Sequence, residues 1–152
     1  MADGSHTIKI DAADNDGNAA TQKSVTFKID TVPPTLSVTA PVNGLITNKA
    51  ACTVTGTTND ITSSPVTVTV KLNSGSAEAV TVGADGSFSK ALTLVSGGNT
   101  ITVVATDSAG KSTTVTRTVT LDTVAPTIKA VTLTPNLVDA GKTYVISVEV
   151  TD

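Results

Sequence analysis

One phrase is written twice in this chain. DTVPPTL stands at residues 30–36 and DTVAPTI at residues 122–128, an offset of 122 − 30 = 92. The stretches leading into the two copies also correspond. Residues 4–30, GSHTIKIDAADNDGNAATQKSVTFKID, lie over residues 97–122, GGNTITVVATDSAGKSTTVTRTVTLD, with a one-residue difference in length. A repeat near 90 residues is too long for a solenoid unit of about 20–50 residues. It suits a small sandwich domain of about 100 residues. The repeated phrase is then a junction between domains. Pro34 and Pro126 interrupt strand pairing there, and Pro33 stiffens the first copy further. Junctions this short restrict motion between neighbours.

The spacing divides the chain into residues 33–123 as one complete domain, flanked by residues 1–32 and 124–152 as partial copies. The first flank holds the last two strands of a preceding copy, around Ile8-Ile10-Ala12 and Val25-Phe27-Ile29. The second holds early strands of a following copy, around Val131-Leu133 and Ile146-Val148-Val150. An isolated hairpin is marginal in water, so these flanks are expected to cover their apolar faces with neighbouring domains or subunits.

Composition sets the class as all-β. Of 152 residues, 30 are Thr, and Val is also abundant. β-Branched side chains favour a pleated surface and lose rotamer freedom in helices. Trp is absent, and the aromatic residues are Tyr144, Phe27 and Phe88. The core is therefore aliphatic. Within the complete domain, alternation predicts seven strands: Leu36–Ala40, Cys52–Gly56, Val66–Leu72, a short edge segment ending at Val80 and Val82, Phe88–Leu94, Ile101–Ala105 and Val115–Leu121. Turn signals PVNG, NSGS, GADGS, SGGN and DSAGK separate them.

These residues resemble the bacterial immunoglobulin-like repeats of the glucodextranase type, found in surface adhesins, secreted glycosidases and phage tail proteins. The resemblance is carried by APVNGLITN (40–48), CTVTGTT (52–58), GADGSFSKALTLVSGGNTITVVATDSAGK (83–111) and the DTVAPT junction. It implies an immunoglobulin-like antiparallel β-sandwich in tandem. The last segment departs from it: TPNLVDAGKTY (134–144) differs from PVNGLITNKA (41–50), which suggests another subtype.

Charge and length exclude several function classes. Charged residues make up 15% of the chain and the net charge is −3. With no basic run or aromatic platform, nucleic-acid binding is not expected. No apolar run reaches the ~20 residues of a membrane-spanning helix. MADGSHTIKI lacks the features of a signal peptide, so export would use a longer precursor or another route. One cysteine, Cys52, permits no intrachain disulfide. It is expected to be a buried, inert thiol.

Candidate sites are acidic. Asp14, Asp16 and their neighbours Asn15 and Asn18 surround Gly17 and invite a calcium reading. The EF-hand form fails because Ala12 and Lys23 stand at its first and twelfth positions. The competing reading is a hairpin turn with Asx side chains bonded to the local backbone. Asp30, Asp107 and Asp122, with Asp14, are candidates to clamp junctions through Ca²⁺, which takes several carboxylates. Their competing reading is strand-end capping. His6, the single histidine, aligns with Asn99 and is expected in a solvated turn. Glu78 and Glu149 lie in different copies and form no glycosidase pair. Lys90 lies on an inward run, either as an edge gatekeeper or as one end of an isopeptide cross-link. No catalytic residues or organic cofactors are expected. The expected role is a non-catalytic stalk or spacer in a bacterial surface protein or phage virion, outside the cell. Two alternatives stand beside it: a subunit whose end copies complement each other head-to-tail into a filament, and a glycan-binding module. A host-surface glycan or protein is the remaining partner class.

Overall fold

A computed structural model describes residues 1–134 and 140–152. Residues 135–139, within the departing TPNLVDAGKTY segment, lie outside the described residues. All the regular elements described are strands: β1 (Gly4–Ile10), β2 (Lys23–Ile29), β3 (Thr35–Ala40), β4 (Leu45–Thr47), β5 (Ala51–Asn59), β6 (Thr67–Leu72), β7 (Glu78–Val80), β8 (Ser87–Thr93), β9 (Gly97–Thr106), β10 (Ser112–Leu121), β11 (Thr127–Thr134) and β12 (Val145–Thr151). No helix among the described residues is long and apolar enough to cross a membrane.

Strands β3 to β10 form an immunoglobulin-like sandwich. One sheet runs β4-β10-β9-β6-β7 and the facing sheet runs β3-β5-β8. Period-2 alternation sends one face of each strand inward. From the larger sheet come Val68, Val70, Ile101, Val103, Ala105, Val119 and Leu121; from the smaller come Val38, Val54 and Phe88. Register aligns these side chains across strands: Val68 opposes Ala105, Val70 opposes Val103, and Leu72 opposes Ile101. With so few aromatics, Phe88 fills the space left by its cross-strand partner Gly56. A Cβ at Gly56 would meet the Phe88 ring, at 2.5 Å from Cζ, and the Ser37 carbonyl.

The sandwich has eight strands rather than the seven read from alternation. The additional one, β4, pairs in parallel with β10, with Leu45 opposite Val119 and Thr47 opposite Leu121. Three residues are too few for alternation to register. Val66 precedes β6 and packs, partly buried, against the core.

The entering segment follows β10 along its length. Thr113 Oγ1 donates to the Pro34 carbonyl (2.6 Å), Arg117 Nη2 donates to the Val38 carbonyl (2.8 Å), and Asn43 Oδ1 accepts from the Thr118 amide (2.9 Å). At the far end the Asp122 amide donates to the Thr47 carbonyl (2.9 Å). The chain therefore enters the sandwich at one end and leaves it at the other.

Two separate ribbons flank the sandwich, β1-β2 and β11-β12. Their registers match pairs inside it. Gly4 opposes Ile29 and Gly97 opposes Leu121; Ile10 opposes Lys23 and Val103 opposes Val115; the isolated Ala13–Ala19 bridge matches the Thr106–Ser112 pair. Ribbon β11-β12 follows β3-β5 likewise, Thr127–Thr151 against Thr35–Asn59, each pair with a one-residue bulge. The ribbons differ from the sandwich in burial. Ile8 is 51% exposed, whereas Ile101, at the same position (8 + 93 = 101), is fully buried.

Candidate functional site

Among the described residues, one group of three or more His, Cys, Asp or Glu side chains gathers: Asp30, Asp60 and Asp107, whose carboxylate oxygens lie within 4.8 Å of one another. It sits where ribbon β1-β2 meets the sandwich. Each acid is the first residue after a strand, following β2, β5 and β9 respectively. A strand end exposes amides that an Asp carboxylate is suited to accept. Asp30 Oδ1 accepts the Val32 amide (3.0 Å). Asp60 Oδ1 accepts the Thr62 and Ser63 amides (both 2.8 Å). Asp107 Oδ1 accepts the Ala109 and Lys111 amides (2.8 and 2.9 Å). The Ser108 amide donates to the Ser63 carbonyl (3.3 Å), joining the loops that carry Asp60 and Asp107. Asp3 holds the linker from the other side, accepting from the Thr31 amide and hydroxyl.

These contacts engage one oxygen of each carboxylate. Asp107 is only 6% exposed, and its Oδ2 is sealed from solvent with no hydrogen-bond partner among the described residues. Asp30 is half-buried as a residue; its Oδ2 is sealed with no partner in hydrogen-bond geometry among the described residues, although the Ser63 hydroxyl faces this carboxyl. The Ser63 hydroxyl facing Asp30, then the Val32 amide, hold its carboxyl below the ordinary carboxylate range, with a smaller contribution from the charge of Lys111. Lys111 makes no ion pair with the cluster. The salt bridge among the described residues is elsewhere, between Lys90 and Glu78 (2.6 Å). The donor set is all oxygen, without imidazole or thiolate, the chemistry preferred by hard cations over soft ones.

Two of the five acids singled out in the sequence, Asp30 and Asp107, come together here. Asp14, Asp16 and Asp122 do not join them. Asp14 is a turn cap: its Oδ1 accepts the Asp16 and Asn18 amides (3.1 and 2.8 Å). The Asn18 side-chain amide, then its backbone amide, lower the Asp14 pKa. Asp16 is exposed in that turn. Asp122 Oδ1 accepts the Val124 amide (2.9 Å), as Asp30 Oδ1 accepts that of Val32. The acid that sequence reading missed is Asp60. Its signal was the repeat itself: 152 − 60 = 92, the offset that also relates Asp30 to Asp122.

Other expectations need correction. His6 is a strand residue, opposite Phe27 and stacked on its ring with centroids 5.6 Å apart, because β1 begins earlier than a turn at this position allows. Its Nε2 lies 2.7 Å from the Ala2 carbonyl. Cys52 is half-buried rather than sealed, at the start of β5; partial burial raises its thiol pKa, which leaves less of the nucleophilic thiolate. Lys90 pairs with Glu78 across the two sheet edges. A shallow open groove beside the cluster, along residues 57–60, 64–66 and 82–86, has no aromatic lining.

Comparison with known proteins places the sandwich in context. A family model described as "Glucodextranase, domain B" matches residues 34–123. No curated protein matches the chain. Among solved structures it is similar to an engineered protein, with 21% identity and a TM-score of 0.47, over 59% of this chain and 20% of that one. It is also similar to fibronectin(III)-like modules of CbhA from Clostridium thermocellum, with 22% identity and a TM-score of 0.48, over 80% of this chain and 64% of that one. The chain thus spans less than two thirds of the length of either.

Proposed function

Because the chain belongs to the glucodextranase domain B family through residues 34–123, we propose that it acts as a non-catalytic spacer, one link in a row of immunoglobulin-like domains on a bacterial surface or a phage particle. The observation that carries this reading is the position of the two junctions. Pro34 lies beside Thr113 at the start of β10, and Asp122 leaves from its end beside Thr47. Entry and exit at opposite ends stack successive domains lengthwise instead of folding them back. A strand of ten residues spans about 33 Å, so each copy with its linker adds about 35 Å.

Ribbons β1-β2 and β11-β12 are, in this reading, end pieces of neighbouring copies. The matched registers support it, as do the exposed apolar side chains Ile8, Ile10, Val25, Val131 and Val148, which a facing sheet would cover. The partners are therefore further sandwiches at each end. Sugar recognition is less favoured, since the open groove offers no aromatic face. Small-angle X-ray scattering tests the spacer reading. A chain extended by one more 92-residue copy should gain about 35 Å in maximum dimension. A gain of less than about 10 Å means that the copies fold back on one another and removes the reading.

A further inference from the structure

We propose that ribbon β11-β12 of one chain seats face to face on ribbon β1-β2 of a second copy, joining two chains head to tail through a composite sandwich. The inference rests on reading the ribbons as sandwich ends, and it adds what covers them. Each ribbon has one apolar face. Directly opposed residues of an antiparallel pair point to the same side. In β11-β12 these are Ile128 with Val150, Val131 with Val148 and Leu133 with Ile146. All six are 42–63% exposed. In β1-β2 the face holds Ile8 opposite Val25 and His6 opposite Phe27, with Ile10 on the same side. Ile8, Ile10 and Val25 are each more than half exposed.

The sandwich itself provides the template for such a contact. The counterpart of β1-β2, β9-β10, belongs to one sheet, and the counterpart of β11-β12, β3-β5, belongs to the sheet packed on it. Ile8, Ile10 and Phe27 stand where the sandwich has Ile101, Val103 and Val119 (101 − 8 = 93, 103 − 10 = 93, 119 − 27 = 92). Ile128 and Ile146 stand where it has Leu36 and Val54 (128 − 36 = 92, 146 − 54 = 92). Those five sandwich residues share one core. A hydrogen bond between the two sheets is spelled again as well. Thr113 donates to the Pro34 carbonyl, and Thr21 and Pro126 occupy the matching positions (113 − 21 = 92, 126 − 34 = 92). The letters thus fit each ribbon to the other kind and not to its own. The partner is another chain, because the ribbons of one chain leave from opposite ends of the sandwich, where a ten-residue strand spans about 33 Å. A seven-residue ribbon offers a face of only about 23 by 10 Å, small beside the roughly 800 Å² per partner of a standard interface. The composite also has no counterpart of β6 to β8. Association is therefore weak, with a Kd of about 10⁻⁵–10⁻³ M. A head-to-tail contact that does not close makes linear oligomers.

Sedimentation velocity of the 152-residue chain between about 10 μM and 1 mM tests the proposal. The average mass should rise with concentration above the 15.2 kDa of one chain. Ile8→Asp and Val148→Asp each place an unpaired charge in the contact, and each should weaken association about hundredfold or more. Neither residue belongs to the sandwich core, so thermal melts of both variants should match the parent's. The two variants are then mixed in equal amounts. The first keeps an intact β11-β12 and the second an intact β1-β2. Together they should form a dimer (2 × 15.2 = 30.4 kDa) and nothing larger, because the other two ribbons are blocked. A parent that stays monomeric at about 1 mM overturns the proposal and leaves the spacer reading, which scattering tests separately, untouched. Growth that persists in either variant alone means that a ribbon pairs with its own kind, and overturns it too. So does a mixture that stays monomeric.

Discussion

Asn99 is a buried side chain whose importance its own letter does not declare. It is 2% exposed. Its Nδ2 donates to the Val95 and Gly97 carbonyls (2.7 and 2.9 Å), and its Oδ1 accepts from the Val95 amide (3.0 Å). Together these bonds set the crossover from β8 to β9. Asn99→Ala would leave the part-buried backbone groups of Val95 and Gly97 without this partner and should cost about 1–3 kcal/mol, read from urea denaturation. Asp85 is an exposed counterpart whose effect depends on pH. The Ser87 hydroxyl, then the Ser87 amide, hold its carboxyl below the ordinary value of 3.8. A depressed folded-state pKa gives stability that is present above the ordinary value and lost as pH falls through the depressed one. Urea midpoints measured between about pH 5 and 2 should therefore fall less steeply for Asp85→Asn than for the parent. At this scale Asp30 and Asp107 were legible because they recur beside turn and junction motifs. Asp60 was not, because Asn-Asp after a strand is ordinary turn chemistry until its distance from Asp152 is counted.

At the scale of elements, alternation located the strand faces but not what covers them. The hairpins β1-β2 and β9-β10 share a register and similar letters, yet Ile8 is exposed where Ile101 is buried. Burial depends on a second sheet, and β3-β5-β8 is placed over β9 by contacts distant in sequence. Ile101→Ala should cost about 3–5 kcal/mol through the cavity it leaves. Ile8→Ala should change sandwich stability by less than about 0.5 kcal/mol. Parallel thermal or urea melts of the two variants make the comparison, and equal losses would mean that the ribbon shares the sandwich's core. Strand β4 escaped alternation for a related reason. Its place is set by β10, 74 residues away in the Leu45–Val119 pair (119 − 45 = 74), and not by its own three side chains.

For the whole molecule, the class and core were legible because Thr and Val dominate and turns recur at regular intervals, and both features follow from local physics. The meeting of linker and loops at Asp30, Asp60 and Asp107 was only half legible, since it depends on how β2 delivers its last residue to the far ends of β5 and β9. The parallel pairing of β4 with β10 has a consequence under tension. A pull applied between residues 33 and 123 runs along both strands in opposite senses, so the Leu45–Thr47 and Val119–Leu121 hydrogen bonds are loaded together in shear. They cannot open one after another like a zipper. A row of such units would resist stretching through a short patch beside each exit, while the longer β9-β10 ladder stays shielded behind it.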